Sequence, residues 1–248
     1  MSDNIAPNVA FYDEIWLNDW QDMERLNPTA RHLQRMIIDL VRSCGPLSSL
    51  ADIGCGMGVN TKSLAEAFPN LEITGTDLSP NILKIAERYV GATPRIHYAP
   101  LDLGHAALDQ RFDLVLCNQV LEHIEDDVAA IGNLDRMCGK YLLITVPGGR
   151  YNSTSKLNGH FRHYSRQEVL DKVAPFGYRI LHIREWGFPL HSLYKTALGM
   201  LSMEAQKQVG LGKYGPMKRF ISSMLYYGFY ANSFDKGENV ILLAEKLR

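Results

Sequence analysis

The feature that most constrains the fold of this chain is a glycine-rich turn that follows a short apolar run. Residues 51–58 read ADIGCGMG, and the residues on either side indicate that the turn leads from a strand into a helix. Glycines in such a turn let the backbone approach a ligand closely, because no side chain stands in the way. About twenty residues later a second apolar run ends in Asp77, whose carboxylate could accept hydrogen bonds from both hydroxyls of a ribose. Together the two segments predict a site for a nucleotide-type ligand.

The spacing of the glycines separates two classes of nucleotide-binding enzyme. A dinucleotide-binding dehydrogenase would have the pattern G-x-G-x-x-G, but Val59 stands where its third glycine is needed. The observed pattern is G-x-G-x-G, and it resembles motif I of the class I S-adenosylmethionine (SAM) dependent methyltransferases. Residues 99–103 (APLDL) and 112–124 (FDLVLCNQVLEHI) resemble later motifs of the same family, in the same order. The chain is therefore identified as similar to that family.

The resemblance implies which residues hold SAM and its product, S-adenosylhomocysteine. Asp77 would bind the ribose, and Asp102 would bind the adenine amino group, with a purely local role in its loop as the alternative for Asp102. Asp52 would orient the glycine loop or meet the SAM ammonium group through water, with helix capping as the alternative. Leu78 and Leu103 could each contact a face of adenine or only pack against their strands. Asn118 and Gln119 would line the methionine end of SAM. The predicted cofactor contacts are Tyr12, Asp52, Gly54, Cys55, Gly56, Gly58, Asp77, Leu78, Asp102, Leu103, Asn118 and Gln119.

An aromatic segment near the start of the chain, residues 11–16 (FYDEIW), resembles the lid that many small-molecule methyltransferases fold over SAM. Tyr12 is the expected contact in this segment, while Trp16 and Trp20 could instead anchor the arm to the core. Asn27 and Pro28 read as a helix cap followed by proline at the first helical position. His32, on the core-facing side of that helix, is interpreted as structural.

A second chemically unusual segment, residues 159–165 (GHFRHYS), holds two imidazoles and one guanidinium within four residues. It resembles the G-H-x-R-x-Y-S/T signature of bacterial methyltransferases that act on small molecules and lipid-linked intermediates. His160 and His163 could deprotonate a nucleophile, and Arg162 could hold an anionic or polar group of the substrate. Alternatively, the histidines brace the loop against a helix cap at Ser165. His123 competes for the role of base, although a role near SAM or in packing is expected for it.

Composition narrows the classes of partner. The chain has 248 residues and a formal net charge of −1, so it lacks the basic surplus typical of nucleic-acid-binding proteins, and no nucleic-acid partner is expected. The four cysteines form no C-x-x-C pair and no histidine stands at metal-ligand spacing, so no metal site is predicted. No signal peptide and no apolar run of about twenty residues is found, which favours a cytoplasmic protein without an integral membrane segment.

Alternating strand and helix patterns predict an α/β fold, a Rossmann-like doubly wound sheet of seven strands as in class I methyltransferases. An N-terminal helical arm precedes the sheet, and an inserted helical pair precedes the last strand. The pair has apolar residues at helical spacing in residues 190–201 and 217–225, with a loop between them at residues 210–216. Strands are predicted at residues 50–53, 71–77, 96–101, 112–117, 141–146, 178–185 and 239–246. The chain is divided into an arm or lid (1–46), a SAM-binding core (47–185), an inserted cap (186–238) and a final strand (239–248).

These features predict a SAM-dependent enzyme that methylates an oxygen or nitrogen of a small, apolar or aromatic metabolite. The acceptor would enter between the arm, the His160 loop and the insertion, where Trp186 and Phe188 could contact it. Methylation of carbon or of a lipid intermediate is an alternative, and a SAM-binding regulatory or assembly protein without turnover is another. Lys213, Lys218 and Arg219 flank the second inserted helix, so the insertion could be a lid, a homodimer interface or a membrane-surface foot.

Overall fold

The fold is given by a computed structural model that describes residues 22–151, 155–156, 158–210 and 212–247. The predicted aromatic lid, with Tyr12, Trp16 and Trp20, lies outside the described residues. Within the described ranges the chain forms one sheet with helices on both faces, which confirms the predicted fold class.

The sheet has seven strands in the order β3-β2-β1-β4-β5-β7-β6. All the predicted strands are present, with ends that differ by a few residues. β7 runs antiparallel to both β5 and β6, while the other neighbouring strands pair in parallel. The strands are β1 Ser49–Ile53, β2 Glu72–Asp77, β3 Ile96–Pro100, β4 Phe112–Asn118, β5 Cys138–Pro147, β6 Tyr178–Gly187 and β7 Gly237–Lys246.

Short sequence signals set where the helices begin. Asn27 accepts hydrogen bonds from the amides of Thr29 and Ala30, and Ser79 accepts one from Ile82. Ser165 and Glu168 form the predicted capping box. The helices are α1 Met23–Leu26, α2 Pro28–Ser43, α3 Val59–Ala67, α4 Pro80–Val90, α5 Asp127–Met137, α6 Arg166–Val173, α7 Leu190–Gly199, α8 Met203–Gly210 and α9 Pro216–Gly228, with 3₁₀ turns at Leu121–His123, Ala174–Phe176 and Phe229–Ala231.

The insertion differs from its prediction, because three helices rather than two lie between β6 and β7. The additional helix, α8, has the sequence MEAQKQVG, which is rich in good helix formers but lacks an apolar stripe. A reading based on hydrophobic periodicity therefore misses it. Of the predicted loop at 210–216, Gly210 ends α8 and Pro216 begins α9.

The core lies on both faces of the sheet, and β1 contributes to each. Ala51 and Ile53 pack with α5 and α6, whereas Leu50 packs on the opposite face with α2 and α3. Alternate residues of a strand point to opposite faces, so a strand buried on both sides reads as a continuous apolar run. The carboxyl ends of β1, β2 and β4 meet at one edge, which is where an open sheet of this kind binds its ligands.

Candidate active site

The glycine loop leaves β1 in a conformation that side chains would obstruct. Gly54 has φ of 66°, and a Cβ there would lie 2.4 Å from Cγ2 of Val120. Gly58 has φ of 81° and caps α3. A Cβ on Gly58 would lie only 2.9 Å from Cγ2 of Val90. The loop therefore keeps its backbone close to the sheet edge, and the amides at the start of α3 face the same edge.

Asp77, at the end of β2, ties this loop to the next one. Its Oδ2 accepts a hydrogen bond from the amide of Gly56 at 3.1 Å, and its Oδ1 accepts one from Ser79 at 3.0 Å. The side chain is half-buried at the carboxyl edge of the sheet. This position beside the glycine loop agrees with the predicted ribose contact, which stays a prediction.

Asp52 is 1% exposed and accepts a 2.6 Å hydrogen bond from the hydroxyl of Thr61. Because Thr61 lies in the first turn of α3, this bond joins β1 to the helix that follows the glycine loop. Burial raises the pKa of Asp52 to about 6, and the nearby charge of Asp77 adds to the increase. This geometry is what a residue that orients the loop requires.

Glu24 joins these aspartates, and the sequence prediction missed it. It lies on α1, a helix of one turn, and its carboxylate is buried beside the glycine loop, where the backbone of Met57 hydrogen-bonds to it. Burial, together with the charges of Asp52 and Asp77, raises the pKa of Glu24 to about 8. No motif marks this residue, since it comes close to the loop only through the packing of α1.

Asp102 and Leu103 follow β3, and both take part in local structure. Asp102 accepts a hydrogen bond from the amide of Gly104 at 3.1 Å and lies 2.9 Å from Nδ1 of His105. Leu103 is 4% exposed and belongs to the core, whereas Leu78 is half-buried near the site. The structure thus gives Asp102 and Leu103 the local roles that the sequence left as alternatives, and their contacts with adenine stay predictions.

Asn118 and Gln119, at the end of β4, are both held by Thr145 of β5. The Thr145 hydroxyl donates to Oδ1 of Asn118 at 2.6 Å, and the Gln119 side-chain amide donates to the same hydroxyl at 3.3 Å. Gln119 has φ of 56°, and no other non-glycine residue in the described ranges has a positive φ. Backbone strain of this kind concentrates at functional sites, because the surrounding structure must be built to hold it.

Three histidines lie together beyond β4, on the acceptor side of the predicted site. His123 and His160 meet edge to face with 4.8 Å between their ring centroids, and Nδ1 of His160 lies 3.3 Å from Nε2 of His163. The hydroxyl of Ser155 lies 2.9 Å from the same Nε2. The predicted catalytic candidates are thus brought together from two separate segments.

The surroundings keep these imidazoles neutral. Burial lowers the pKa of His123 to about 4, although a hydrogen bond to the backbone of Gly159 opposes the shift. Burial together with His123, His163 and Lys195 holds the pKa of His160 well below its usual range. A weakly basic imidazole is a poor proton acceptor but can still bind a cation through its lone pair. Lys195, on α7, shows that the insertion reaches this cluster.

Arg162 is held by partners on a neighbouring element. Its guanidinium pairs with Asp127 at 2.9 Å and donates to the carbonyl of Glu125 at 2.6 Å. The Asp127 side chain is 4% exposed and also binds Lys172 and the hydroxyl of Tyr164, each at 2.8 Å. Arg162 therefore braces the histidine loop against α5, and its predicted contact with the substrate stays a prediction.

The aromatic residues of the insertion divide into buried and exposed groups. Trp186 and Phe229 are each 1% exposed and pack around His32, whose ring stacks on Trp186 at 5.1 Å. His32 also lies 2.7 Å from the carbonyl of Tyr226, so its structural interpretation agrees with the geometry. Trp186 presents no surface to a substrate in this position. Phe188 is 51% exposed, and its predicted contact with the acceptor stays a prediction.

Comparison with known proteins matches this architecture. Residues 51–140 fit the protein family described as a methyltransferase domain. The N-methyltransferase NodS from Bradyrhizobium japonicum, solved with S-adenosyl-L-homocysteine, aligns over 99% of this chain and 100% of its own with a TM-score of 0.65. The match at residues 51–140 and the overall fold are thus similar to those of SAM-dependent methyltransferases. The sequence identity to NodS is 18%, so this likeness concerns the fold.

Curated methyltransferases match part of the chain. Trans-aconitate 2-methyltransferase of Streptomyces avermitilis is 30% identical over 160 residues, which are 58% of this chain and 56% of that protein. Malonyl-(acyl-carrier protein) O-methyltransferase of Acetivibrio thermocellus is 24% identical over 136 residues, which are 55% of this chain and 48% of that protein. The chain thus spans about half the length of the curated relatives it matches. Among the described residues, the methyltransferase fold includes no helix with the length and apolar character needed to cross a bilayer.

Proposed function

We propose that this methyltransferase domain binds SAM and transfers its methyl group to an oxygen or nitrogen of a small molecule. The observation that carries the proposal is the set of carboxylates around the glycine loop. Glu24, Asp52 and Asp77 act on one another electrostatically at the carboxyl edge of the sheet. Such a set favours a cationic ligand, and SAM carries both a sulfonium and an ammonium group.

Each residue of this set has a distinct proposed role. Asp77 binds the ribose while it holds Gly56, and Asp52 keeps α3 aligned with the glycine loop. Glu24 lies near the methionine end and receives the ammonium group. SAM supplies an activated methyl group when bound, so the main contribution of the protein is to hold donor and acceptor in line. Positioning of two reactants can contribute about 7 to 11 kcal/mol to lowering a barrier.

The acceptor is proposed to approach from the side of the histidine cluster. His123, His160 and His163 lie beyond β4, and the charge of Lys195 on α7 acts on His160. The exposed ring of Phe188 follows β6, shortly before α7 begins. This combination suits a small molecule with one polar reacting group and an apolar or aromatic body. The O- and N-methyltransferases among the similar proteins support the same class of acceptor atom. Methylation of carbon or of a lipid intermediate remains an alternative, and a cytoplasmic location and the absence of a nucleic-acid partner stay predictions.

Calorimetric titration with SAM tests the cofactor site. Asp77→Ala should lower the affinity for SAM about ten- to hundredfold, because a lost hydrogen bond to a charged group costs about 1.5 to 3 kcal/mol. Asp77→Asn, which retains one acceptor oxygen, should lose less. Asp109→Ala changes an exposed loop aspartate and serves as the control. Unchanged affinity in the folded Asp77→Ala protein would contradict the ribose assignment.

A SAM-binding protein without turnover is the candidate function of another class. Both candidates bind SAM, but only an enzyme releases S-adenosylhomocysteine when its acceptor is present. Incubation with SAM and panels of small phenols, carboxylic acids and amines, followed by mass spectrometry, separates the two. The polar histidine cluster over the ligand edge favours the enzyme, because a binding module has no need of it.

The inserted helices carry the proposed oligomer contact. Apolar side chains on α7 and α9 are widely exposed, among them Leu193 at 63%, Met217 at 71% and Met224 at 61%. Surfaces of this kind commonly mark a contact with a partner, a lid or a membrane. A homodimer through this face, a lid and a membrane-surface foot are separated by light scattering on the eluted protein and by sedimentation with anionic liposomes.

A further inference from the structure

A buried carboxylate beside the histidines has no hydrogen-bond or ion-pair partner on another described residue. Glu122 is 0% exposed and lies in the 3₁₀ turn Leu121–His123 that follows β4. Neither of its carboxylate oxygens accepts a hydrogen bond from another residue in the part of the chain that the structure describes. A buried polar group without a partner costs stability, so such a group is usually retained for a ligand.

The ligand is indicated by the two imidazoles that converge on Glu122. One nitrogen each of His123 and His160 and one carboxylate oxygen of Glu122 all lie within 4.8 Å of one another. The three side chains come from the turn after β4 and from the loop after β5, so chain spacing alone does not reveal them as a set. All three donors therefore lie around one point, close enough for small side-chain movements to bring them onto a single ion.

We propose that Glu122, His123 and His160 bind one divalent transition-metal ion of the zinc class. Two imidazoles and one carboxylate form a donor set that suits zinc and related ions far better than magnesium or calcium, which prefer oxygen donors. Three protein ligands leave at least one coordination position open. The ion also supplies the positive charge that the buried Glu122 carboxylate lacks.

The surroundings of the cluster orient these donors. His160 faces His163 through Nδ1, which leaves Nε2 for the ion, and His123 is hydrogen-bonded to the backbone of Gly159. The amide of Phe161 donates to the backbone carbonyl of Glu122 at 2.7 Å, which joins the two ligand-bearing segments. Partners of this kind fix the ring orientation of metal-binding histidines.

The three ligands belong to the histidine cluster, which is the side from which the acceptor is proposed to approach. An ion there would bind an acceptor oxygen and make its proton easier to remove, as metal ions do for bound water. This role rests on the proposed methyl transfer, whereas the metal site itself does not.

The test is metal binding by the chelator-treated and dialysed full chain. Calorimetry with Zn²⁺ should show one ion per chain, and Co²⁺ should give the visible absorption of a site with nitrogen and oxygen donors. Glu122→Gln and His160→Gln should each weaken Zn²⁺ binding by at least about tenfold, since loss of a supporting partner alone typically costs ten- to hundredfold. His105→Gln is the matched control, because it removes an exposed imidazole that lies beside Asp102 outside the cluster. It should bind as the wild type does.

Two results would overturn the proposal. One is the absence of stoichiometric binding of both ions to the folded wild type, and the other is undiminished Zn²⁺ binding in folded Glu122→Gln and His160→Gln. Circular dichroism establishes that the variants are folded, and the wild-type titration decides the matter if they are not. A parallel SAM titration in chelator keeps the two proposals separate. SAM binding without Zn²⁺ binding ends the metal site alone, while Zn²⁺ binding without SAM binding ends the proposed function alone.

Discussion

At the scale of single residues, carboxylates of the same chemistry take different roles because their surroundings differ. Asp77 is half-buried at the sheet edge and accepts two backbone hydrogen bonds, from Gly56 and Ser79. Asp52 is buried and joined to Thr61, which makes it a structural partner of the glycine loop. The Glu24 carboxylate is buried near both aspartates, and its upward pKa shift is larger than that of Asp52. Burial and nearby like charge cause both shifts.

Glu24 predicts how the stability of the ligand-free protein depends on pH. An acid whose folded pKa is raised from 4.5 to about 8 binds more protons when folded, so its contribution to stability falls as pH rises between those values. Glu24→Gln removes this loss, and its stability relative to wild type should increase from pH 5.5 to pH 9. Each pKa unit corresponds to about 1.4 kcal/mol, which urea unfolding can resolve.

The control for this measurement is Glu66→Gln. Glu66 is an exposed carboxylate of α3 in an ion pair with Lys62, so its removal should leave the pH dependence of stability as it is in wild type. If Glu24→Gln also showed the wild-type pH dependence, Glu24 would be solvated and ionised throughout, and its proposed contact with the SAM ammonium group would lose its basis.

At the scale of elements, the histidine loop is held in place by one buried aspartate. Asp127, in the first turn of α5, binds Arg162 of the loop and Lys172 of α6. Although burial raises the pKa of Asp127, hydrogen bonds from Lys172, Tyr164 and Arg162 outweigh it and hold the pKa below its usual value. The brace is therefore present at neutral pH and is lost in acid, as pH falls through the lowered pKa.

Arg162→Ala should destabilise the fold and leave SAM binding unchanged. Loss of a hydrogen-bonded charge partner of a buried carboxylate costs about 1 to 3 kcal/mol, with the lower end expected because Lys172 remains on Asp127. Urea unfolding measures this change, and Arg166→Ala, an exposed arginine at the start of α6, is the control. A variant with wild-type stability but a raised KM for its acceptor would instead restore Arg162 as a substrate anchor.

At the scale of the whole molecule, the strand order creates one ligand edge, and the first residue of α3 restricts what can bind there. Val59 is 7% exposed at the position where a dinucleotide-binding turn needs glycine for the close approach of a pyrophosphate. We expect the same edge to bind a nucleoside that is linked to an amino acid, as in SAM. The fold is thus shared with many nucleotide-binding proteins, while the choice of ligand depends on the loop.

Thermal unfolding in the presence of SAM, S-adenosylhomocysteine or NAD tests which of these ligands the protein binds. SAM and S-adenosylhomocysteine should each raise the Tm by several degrees when present at about 100 times Kd, because binding then adds about 2.7 kcal/mol of stability. NAD at the same concentration should leave the Tm unchanged. Stabilisation by NAD without stabilisation by SAM would contradict the proposed cofactor.

The sequence alone predicted the parts of this protein that depend on neighbours along the chain. Apolar runs, the caps at Asn27, Ser79 and Ser165, and the glycine loop ending at Gly58 are local signals, so the seven strands and the ligand edge followed from them. The motifs predicted to bind SAM each follow a strand. They meet at one edge because the central strands of the sheet are parallel. Hydrophobic periodicity did not reveal α8, because that helix has helix propensity without an apolar stripe.

Only the tertiary structure decided which side chains meet. Arg162 was predicted to bind substrate, but the fold places the buried carboxylate of Asp127 within its reach. Glu24 was missed, and His123 and His160 were predicted as candidates for a base without Glu122, because the fold brings these side chains together from separate segments. Partners of a charged side chain are selected by distance and burial in three dimensions, and neither quantity is encoded in the local pattern of residues.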